Sequence, residues 1–274
     1  MNRGILHTVV MLCLLVFTAS CSNFQKLLKS NDVDLKYKAA LEYYEKEDYY
    51  RANQLLEQVM PLMTGREEAE KARFYYANTH YKQREYMLSA FQFRTFYETY
   101  PRSEKAEEAM FLQAKSLFND SPDFEQDQTS TVTAMESIQE FLVRYPNSQY
   151  AAEANTMYDD LSAKLDLKSF ESARLYYKLR YYKSAVVAFS NFLRENASSP
   201  YSEEASYLRI DAQYRFALES VPDKQQERFM EAVDYYQAFI DQYPDSRFLR
   251  SAEQVYGSTQ SELEKIKKNN PSNS

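Results

Sequence analysis

The fold is decided by a short stretch at residues 74–81, FYYANTHY, in which alanine follows the first aromatic residue by three positions and a second aromatic residue closes the stretch. Intervals of three, four and seven residues place Phe74, Ala77 and Tyr81 on one stripe of a helix. The same pattern occurs five times along the chain. Its occurrences are Tyr37/Ala40/Tyr44, Phe74/Ala77/Tyr81, Phe111/Ala114/Phe118, Phe170/Ala173/Tyr177 and Tyr207/Ile210/Tyr214.

A second series of small residues follows, each with a large apolar residue four positions later. Its members are Ala52/Leu56, Ser89/Phe93, Ala134/Ile138, Ala185/Phe189 and Ala232/Tyr236. Three of these second segments end in Tyr-Pro followed, two positions later, by Ser103, Ser148 or Ser246. Proline cannot continue a helix, and the serine can cap the next one. The two series therefore predict a helix–turn–helix repeat, which resembles the tetratricopeptide repeat.

The spacing of the repeat locates its irregularities. The first aromatic residue recurs after 37, 37, 59 and 37 residues, so one interval is 22 residues too long. Eight of the extra residues fall in a loop around 119–123, and the other 14 lengthen the helical segment after Ser148 by about four turns. We therefore predict an all-α solenoid of about five tetratricopeptide-like helix pairs with an elongated middle helix. The spacing leaves open whether residues 148–180 form one helix or two. A closing helix is expected from about Arg247 to Lys265, with a frayed tail from Lys267.

Composition excludes several classes of function. The chain has only 3 glycines, where an average chain of this length carries roughly 19. This scarcity argues against glycine-rich phosphate loops and dinucleotide-binding folds. The 2 cysteines and 2 histidines provide no cysteine or multi-histidine metal site. No Walker loop, HExxH pair or nucleophile elbow occurs. We therefore predict a protein that is not an enzyme, with no cofactor and no metal. The net charge of −7 gives no electrostatic reason to bind nucleic acid.

The N-terminus has the features of an export signal. Arg3 precedes an apolar run from Ile5 to Ala19, which is short for a membrane span and typical of a signal peptide. The following Thr18-Ala19-Ser20-Cys21 resembles a bacterial lipobox, which implies a Gram-negative source and acyl chains such as palmitate on Cys21. These chains would anchor the protein to the membrane. The alternative is an ordinary cleavable signal with an incidental cysteine. Ser22 after the cysteine fits sorting to the outer membrane.

These features divide the chain into five parts. They are a lipoprotein signal peptide (1–20), an anchor and linker (21–31), N-terminal repeats one to three (32–146), the long helix with the C-terminal repeats and closing helix (147–268), and a disordered tail (269–274).

The lipobox, the five repeats and the elongated middle helix together resemble the BamD family of the outer-membrane β-barrel assembly machinery. The strongest local similarity lies in residues 141–193 and includes LVRYPNSQY at 142–150. The resemblance implies a lipid-anchored scaffold on the periplasmic face of the outer membrane. Its C-terminal half would dock the periplasmic POTRA domains of an Omp85-type (BamA-like) insertase, and its N-terminal half would receive unfolded barrel proteins. Other lipoproteins of the machinery would be further partners. The alternative is another tetratricopeptide lipoprotein of the envelope, an adaptor in cell division, peptidoglycan linkage or nutrient uptake.

The repeat pattern nominates residues for the two contacts, because in tetratricopeptide arrays the position after the small residue faces a groove. The candidate substrate groove comprises Leu41, Tyr44, Asn78, Tyr81, Lys82, Lys115 and Phe118. The candidate partner surface comprises Arg174, Tyr177, Lys178 and Asp211. For the aromatic members, packing between helices is the competing interpretation. His80 is expected in the core. The acidic pairs Glu67-Glu68, Glu107-Glu108 and Glu203-Glu204 are expected as solvated residues at helix starts.

Overall fold

The computed structural model describes residues 23–269, which are helical with no strand in that range. The predicted signal peptide, Cys21 and residues 270–274 lie outside the described residues. Twelve α-helices occur between residues 23 and 269. They are α1 (23–29), α2 (Val33–Glu45), α3 (Tyr49–Val59), α4 (Ala69–Lys82), α5 (Tyr86–Thr99), α6 (Ala106–Asp120), α7 (Thr129–Arg144), α8 (Ala151–Lys178), α9 (Tyr182–Glu195), α10 (Ser202–Leu218), α11 (Pro222–Gln242) and α12 (Leu249–Asn269). None of the helices in this range is both long and apolar enough to cross a membrane.

Consecutive helices pack in pairs, as the repeat predicts. Helix α2 packs against α3, α4 against α5, α6 against α7, and α10 against both α9 and α11. The first series of small residues lies in α2, α4, α6, α8 and α10, and the second lies in the helices between them and in α11. Ala40, Ala77 and Ala114 have no exposed surface, because each lies where a neighbouring helix approaches most closely. The prediction of an all-α array of about five helix pairs is confirmed.

The irregularities fall where the spacing places them. Helix α8 has 28 residues and is a single helix, which answers the question left open by the sequence. The loop between α6 and α7 accounts for the other extra residues. Helix α11 begins at Pro222. Proline is tolerated in the first turn of a helix, because the N–H groups there have no hydrogen-bond partner within the helix. The prediction of a frayed tail from Lys267 is wrong for Lys267 and Lys268, because α12 continues to Asn269.

The chain forms two compact units. The first contains the described residues up to Pro122 together with Asp127–Asp159, and the second contains Asp123–Gln126 and the described residues from Asp160 onward. Each unit has its own core. Leu55, Leu56 and Val59 lie in the core of the first unit, whereas Phe170 and Phe189 lie in that of the second.

Three of the turns inside helix pairs use a residue in the left-handed region. Glu47, Arg84 and Arg180 have φ values of 59°, 63° and 64°. In the first turn the Glu47 N–H donates to the Tyr44 carbonyl at 3.0 Å, and the next N–H, of Asp48, donates to the Tyr43 carbonyl at 2.9 Å. The other two turns repeat this pattern, which is the Schellman motif. These turns therefore adopt the conformation that favours glycine without containing one.

The serines after Tyr-Pro connect neighbouring repeats. Ser148 Oγ accepts from the Tyr150 N–H at 3.0 Å and donates to Glu107 of α6 at 2.6 Å. Ser246 likewise donates to Glu203 of α10. Each serine accepts from the amide two positions later and so pairs one free N–H ahead of the following helix, as expected of a cap. The cap lies on the turn that precedes the helix, since α6, which follows Ser103, has no side-chain cap of its own. The acidic pairs at 107–108 and 203–204 are not simply solvated, since their glutamates accept these bonds.

The residue two positions after each serine covers an aromatic ring of the preceding repeat. Lys105 Nζ lies 4.7 Å from the Phe74 ring centroid. The equivalent contacts after Ser148 and Ser246 are ring stacks, Tyr150 on Phe111 and Phe248 on Tyr207, with centroids 4.5 and 5.2 Å apart. Tyr201, two positions after Ser199, stacks in the same way on Phe170 with centroids 5.1 Å apart. One short turn thus supplies both a hydrogen bond and an aromatic or cation–π contact to the neighbouring repeat.

Candidate functional site

The candidate groove residues lie on the first helices of the repeats in the first unit. Leu41 and Tyr44 belong to α2, whereas Asn78, Tyr81 and Lys82 belong to α4. Lys115 and Phe118 belong to α6. All except the exposed Lys82 are half-buried, so their positions allow both helix packing and contact with a ligand.

Tyr44 lies in an aromatic cluster formed by α2, α3 and α4. Its ring meets Tyr75 edge-on with centroids 4.5 Å apart and Tyr49 with centroids 5.4 Å apart. Burial raises the pKa of Tyr44 to about 12, and the neighbouring Tyr49, Tyr75 and Glu108 add to this effect. Lys82 reaches the same cluster, with its Nζ 5.9 Å from the Tyr49 ring centroid. The cluster presents π faces beside a carboxylate and an ammonium group.

A polar group joins α4, α6 and the start of α8. The Asn119 amide donates to the Tyr81 hydroxyl at 3.1 Å. Lys115 Nζ lies 2.7 Å from a Glu153 oxygen and 5.6 Å from the Phe111 ring centroid. Burial disfavours the charged form of Lys115, but the hydrogen bond to Glu153 and the charge interactions with Tyr81 and Glu153 together exceed this effect, so the pKa of Lys115 is raised. Lys115 therefore remains a cation at this face.

Among the described residues of the first unit, two buried side-chain atoms have no hydrogen-bond partner, the Asn78 Oδ1 and the Tyr37 hydroxyl. Such an atom costs about 1–3 kcal/mol while it stays unpaired. A cleft of about 280 Å³ in the same unit is bordered by Phe74, Tyr75 and Lys105. The face of α2, α4 and α6 thus offers aromatic surface, and the two unpaired polar atoms lie buried beneath it.

The candidate partner residues of the second unit divide into a surface pair and an interior pair. Arg174 lies 3.1 Å from Glu171 and 3.7 Å from Glu204, and Lys178 lies 3.7 Å from Glu171. Both cations are accessible and already have acidic neighbours. The second pair, Tyr177 and Asp211, is less accessible.

Asp211 is buried and holds an internal network. It accepts from the Tyr177 hydroxyl and from Arg215 Nε, the latter at 2.6 Å. Burial and the bond to Asp211 raise the pKa of Tyr177 far above its ordinary value, and the same carboxylate raises that of Arg215. A partner would reach Arg174 and Lys178 directly but Asp211 only through its neighbours.

The sequence pattern does not identify several residues that contact the candidate groove and partner residues. Tyr75 is adjacent in sequence to a residue of the repeat pattern but is not part of it. Glu153 and Arg215 also lie outside the pattern, and nothing in the spacing signals them. His80 is in the core as expected, since it is buried with Nδ1 2.6 Å from Glu85 and its ring against Tyr76. Among residues 23–269 no group of histidine, cysteine and acidic side chains could hold a metal ion.

The model of the YfiO family, described as outer membrane lipoproteins, matches residues 30–176 and 168–265. The chain belongs to this family. The resemblance to BamD and the outer-membrane location predicted from the sequence are thereby confirmed. The prediction that the chain is not an enzyme is confirmed by the same family and relatives, which are described as lipoproteins and assembly factors.

Three relatives carry descriptions of the same kind. The "Outer membrane protein assembly factor BamD" of Caulobacter vibrioides is 25% identical over 139 residues, which are 51% of this chain and 46% of that protein. The protein of the same name from Rickettsia prowazekii is 20% identical over 212 residues, 77% of this chain and 80% of the relative. The "Putative outer membrane protein assembly factor BamD" of Aquifex aeolicus is 26% identical over 170 residues, 61% of this chain and 55% of the relative. The chain therefore matches about half the length of the Caulobacter and Aquifex relatives.

A solved structure, that of a thermophilic TPR protein in Thermus thermophilus, is also similar. It is 15% identical and covers 84% of this chain and 99% of its own, with a TM-score of 0.32.

Proposed function

We propose that this lipoprotein is a scaffold of the β-barrel assembly machinery of the outer membrane, facing the periplasm. The observation that carries the proposal is the family match over residues 30–265, together with relatives named as assembly factors. In this proposal residues 32–146 receive unfolded barrel proteins. Residues 147–268 bind the POTRA domains of the insertase and other lipoproteins of the machinery.

The face of α2, α4 and α6 suits an unfolded barrel strand. Such a strand alternates apolar or aromatic side chains with polar ones and has unpaired backbone groups. Tyr44, Tyr81 and Phe118 offer aromatic contact, and Lys115 and the half-buried Asn78 offer polar contact. Leu41 and Lys82 border the same face. This combination supports the assignment of the substrate groove.

The accessible cations of the second unit support the insertase contact. Arg174 and Lys178 are solvent-accessible, so an acidic surface of the POTRA domains can compete with Glu171 and Glu204 for them. Tyr177 and Asp211 would hold this face in place from the interior.

The membrane anchor is assigned to acyl chains on Cys21, in agreement with a family of lipoproteins. Changing Cys21→Ala is expected to block lipidation and to release folded protein from the membrane fraction. Normal processing and outer-membrane fractionation of this variant would exclude the anchor.

Depletion of the protein from its native cells tests the function itself. The proposal expects a general loss of outer-membrane barrel proteins and co-purification of the insertase from mild detergent. Unchanged barrel levels, with no insertase in the purified complex, would instead favour an envelope adaptor in cell division, peptidoglycan linkage or nutrient uptake.

A further inference from the structure

Three large apolar side chains lie together on the exposed surface of α5. Met87, Leu88 and Phe91 are 59%, 51% and 62% exposed, and intervals of three and four residues place them on one face of the helix. Further along this face, Arg94 and Glu98 form an exposed ion pair with 2.8 Å between their charged atoms. The exposed face of α5 is therefore apolar in its first half and charged in its second. A contiguous apolar group of this kind indicates a contact site, whereas single exposed apolar residues are ordinary.

This apolar cluster lies at the end of the first unit that is formed by the α2–α3 and α4–α5 turns, which we call the turn end. Lys82, in the last turn of α4, reaches the start of α3, with its Nζ 5.9 Å from the Tyr49 ring centroid. The Asn53 amide, in the first half of α3, donates to the Thr79 hydroxyl near the end of α4 at 2.8 Å. The two turns therefore lie side by side. Side chains of a helix tilt towards its N-terminus, so the apolar cluster of α5 leans towards the turn end.

Helix α1 is oriented so that the chain before it leads to the turn end. The Phe24 ring packs against Tyr43, in the last turn of α2, with centroids 5.6 Å apart. Near the other end of α1, the Leu28 carbonyl accepts from Lys36, in the first turn of α2, at 3.0 Å. Helix α1 thus runs antiparallel to α2. Cys21, to which the lipid anchor is assigned, is three positions before Phe24, so at most about 11 Å separates their Cα atoms. Acyl chains on Cys21 would therefore start close to the turn end.

We propose that the turn end of the first unit rests on the phospholipid surface, with the side chains of Met87, Leu88 and Phe91 inserted among the headgroups. The inference rests on the anchor of the proposed function, because acyl chains on Cys21 would hold the membrane within reach of this cluster. Such a tether raises the effective concentration of the membrane at the cluster, so that a small apolar group is enough for contact. Apolar side chains of a surface-bound helix lie about 5–10 Å deep, at the boundary between headgroups and acyl chains.

Two features of the turn end suit a phospholipid surface. Tyr50, in the first turn of α3, is 62% exposed, and tyrosine rings are enriched at the membrane–water interface. The α2–α3 and α4–α5 turns carry exposed charges of both signs, namely Lys46, Arg84, Glu47 and Glu85. Because neither sign dominates in these turns, they favour zwitterionic headgroups over a strongly charged protein surface as the occupant.

Tryptophan fluorescence can test the contact at a single position, because the chain contains no tryptophan of its own. The lipidated Phe91→Trp protein is reconstituted into phosphatidylcholine vesicles whose acyl chains are either plain or brominated, since bromine quenches tryptophan that touches it. We expect the emission to shift to shorter wavelength in plain vesicles and to be largely lost in brominated ones. The matched control is Leu62→Trp, which is equally exposed but lies beyond the far end of α3. Its emission should be the same in both kinds of vesicle.

Two further variants connect the signal to the apolar cluster. Met87→Gln with Leu88→Gln, introduced into the Phe91→Trp protein, should restore most of the emission in brominated vesicles, because amide side chains do not insert among acyl chains. Both side chains are exposed, so this protein should melt like the wild type. Tyr50→Trp is a second probe on α3, and it decides if Phe91→Trp does not fold. Its emission should also be quenched in brominated vesicles.

Flotation of the same samples measures the anchor separately. Protein that floats with the vesicles but keeps its full emission in brominated lipid would overturn the membrane contact and leave the anchor and the proposed function intact. Protein that does not float would overturn the anchor and this contact together, whereas depletion still tests barrel assembly by itself. A shift to shorter wavelength that needs no vesicles and grows with protein concentration would identify a second copy of the chain as the occupant, and would overturn the choice of lipid.

Discussion

Small buried residues set how closely the paired helices approach. Ala77 of α4 has no exposed surface, and the large rings of Phe74 and Phe93 lie around this contact. A longer side chain has no free volume there, so Ala77→Leu should force the helices apart and lower the free energy of unfolding by about 1–3 kcal/mol. Urea denaturation measures this. Ala152→Leu, at an exposed position of α8, is the control and should stay close to the wild type.

Tyr44 couples stability to alkaline pH. Its pKa is raised to about 12 in the folded protein, chiefly by burial, from an ordinary value of 10.0. Because the pKa of Tyr44 is higher in the folded state, the stabilisation that the protonated hydroxyl gives the folded protein is fully present below pH 10. This stabilisation is lost as the pH rises towards 12. Tyr44→Phe cannot ionise, so its unfolding free energy should fall less than that of the wild type between pH 9 and pH 11.

Denaturation curves at the two pH values measure the difference, with Tyr50→Phe, an exposed ring of α3, as control. Equal losses in the wild type and in Tyr44→Phe would show that the Tyr44 hydroxyl ionises as freely in the folded protein as in the unfolded one.

For the candidate site, the sequence predicted which residues of the repeat share a helical face. Tyr44 and Asn78 could be assigned to one helical face because their spacing alone determines it. Their partners could not be assigned. Glu153 pairs with Lys115 from 38 positions away, and Asp211 accepts from Tyr177 34 positions away. Such pairs depend on how side chains of different repeats are oriented towards each other, and the period of the sequence pattern does not determine this orientation.

The turns inside the helix pairs carry backbone strain that glycine would relieve. Arg180, between α8 and α9, has a φ of 64°. This conformation costs an L-residue roughly 1–2 kcal/mol, whereas glycine loses about 0.5–1 kcal/mol in chain entropy. Arg180→Gly should therefore raise the unfolding free energy by about 0.5–1 kcal/mol. Thermal melting checks it. Ala163→Gly, at an exposed position in the middle of α8, is the control and should lower stability by about 1 kcal/mol.

Helix lengths followed from the sequence wherever the apolar period was uninterrupted. The 14 extra residues before Phe170 add close to four whole turns, so the apolar face of α8 continues in register and one helix forms. The termini were less predictable. Helix α12 extends to Asn269 because its last turn needs no core contact, and its Lys267 and Lys268 favour the negative end of the helix dipole. The Ser–Glu bonds between repeats were missed for a related reason, since a serine after proline is also a common cap.

At the scale of the whole molecule, the two compact units allow the two proposed contacts to be separated. Asn78 and Lys82 lie in the first unit, and Arg174 and Lys178 lie in the second. In a repeat array each repeat contacts its neighbours, so changes at distant, independent sites add without coupling. A variant in one unit should then leave binding by the other unit intact.

Charge reversal of Arg174 and Lys178 to glutamate should weaken capture of the insertase's periplasmic domains, because like charges would then face an acidic partner. It should leave binding of a fluorescent peptide with a barrel C-terminal signal unchanged. Asn78→Ala with Lys82→Glu should have the opposite effect, since it removes polar contacts from the face of α2, α4 and α6. Pull-down of the insertase and fluorescence anisotropy of the peptide measure both effects on the same two variants. If each variant weakened both contacts equally while melting like the wild type, the two contacts would share one surface, and the assignment of one contact to each unit would be wrong.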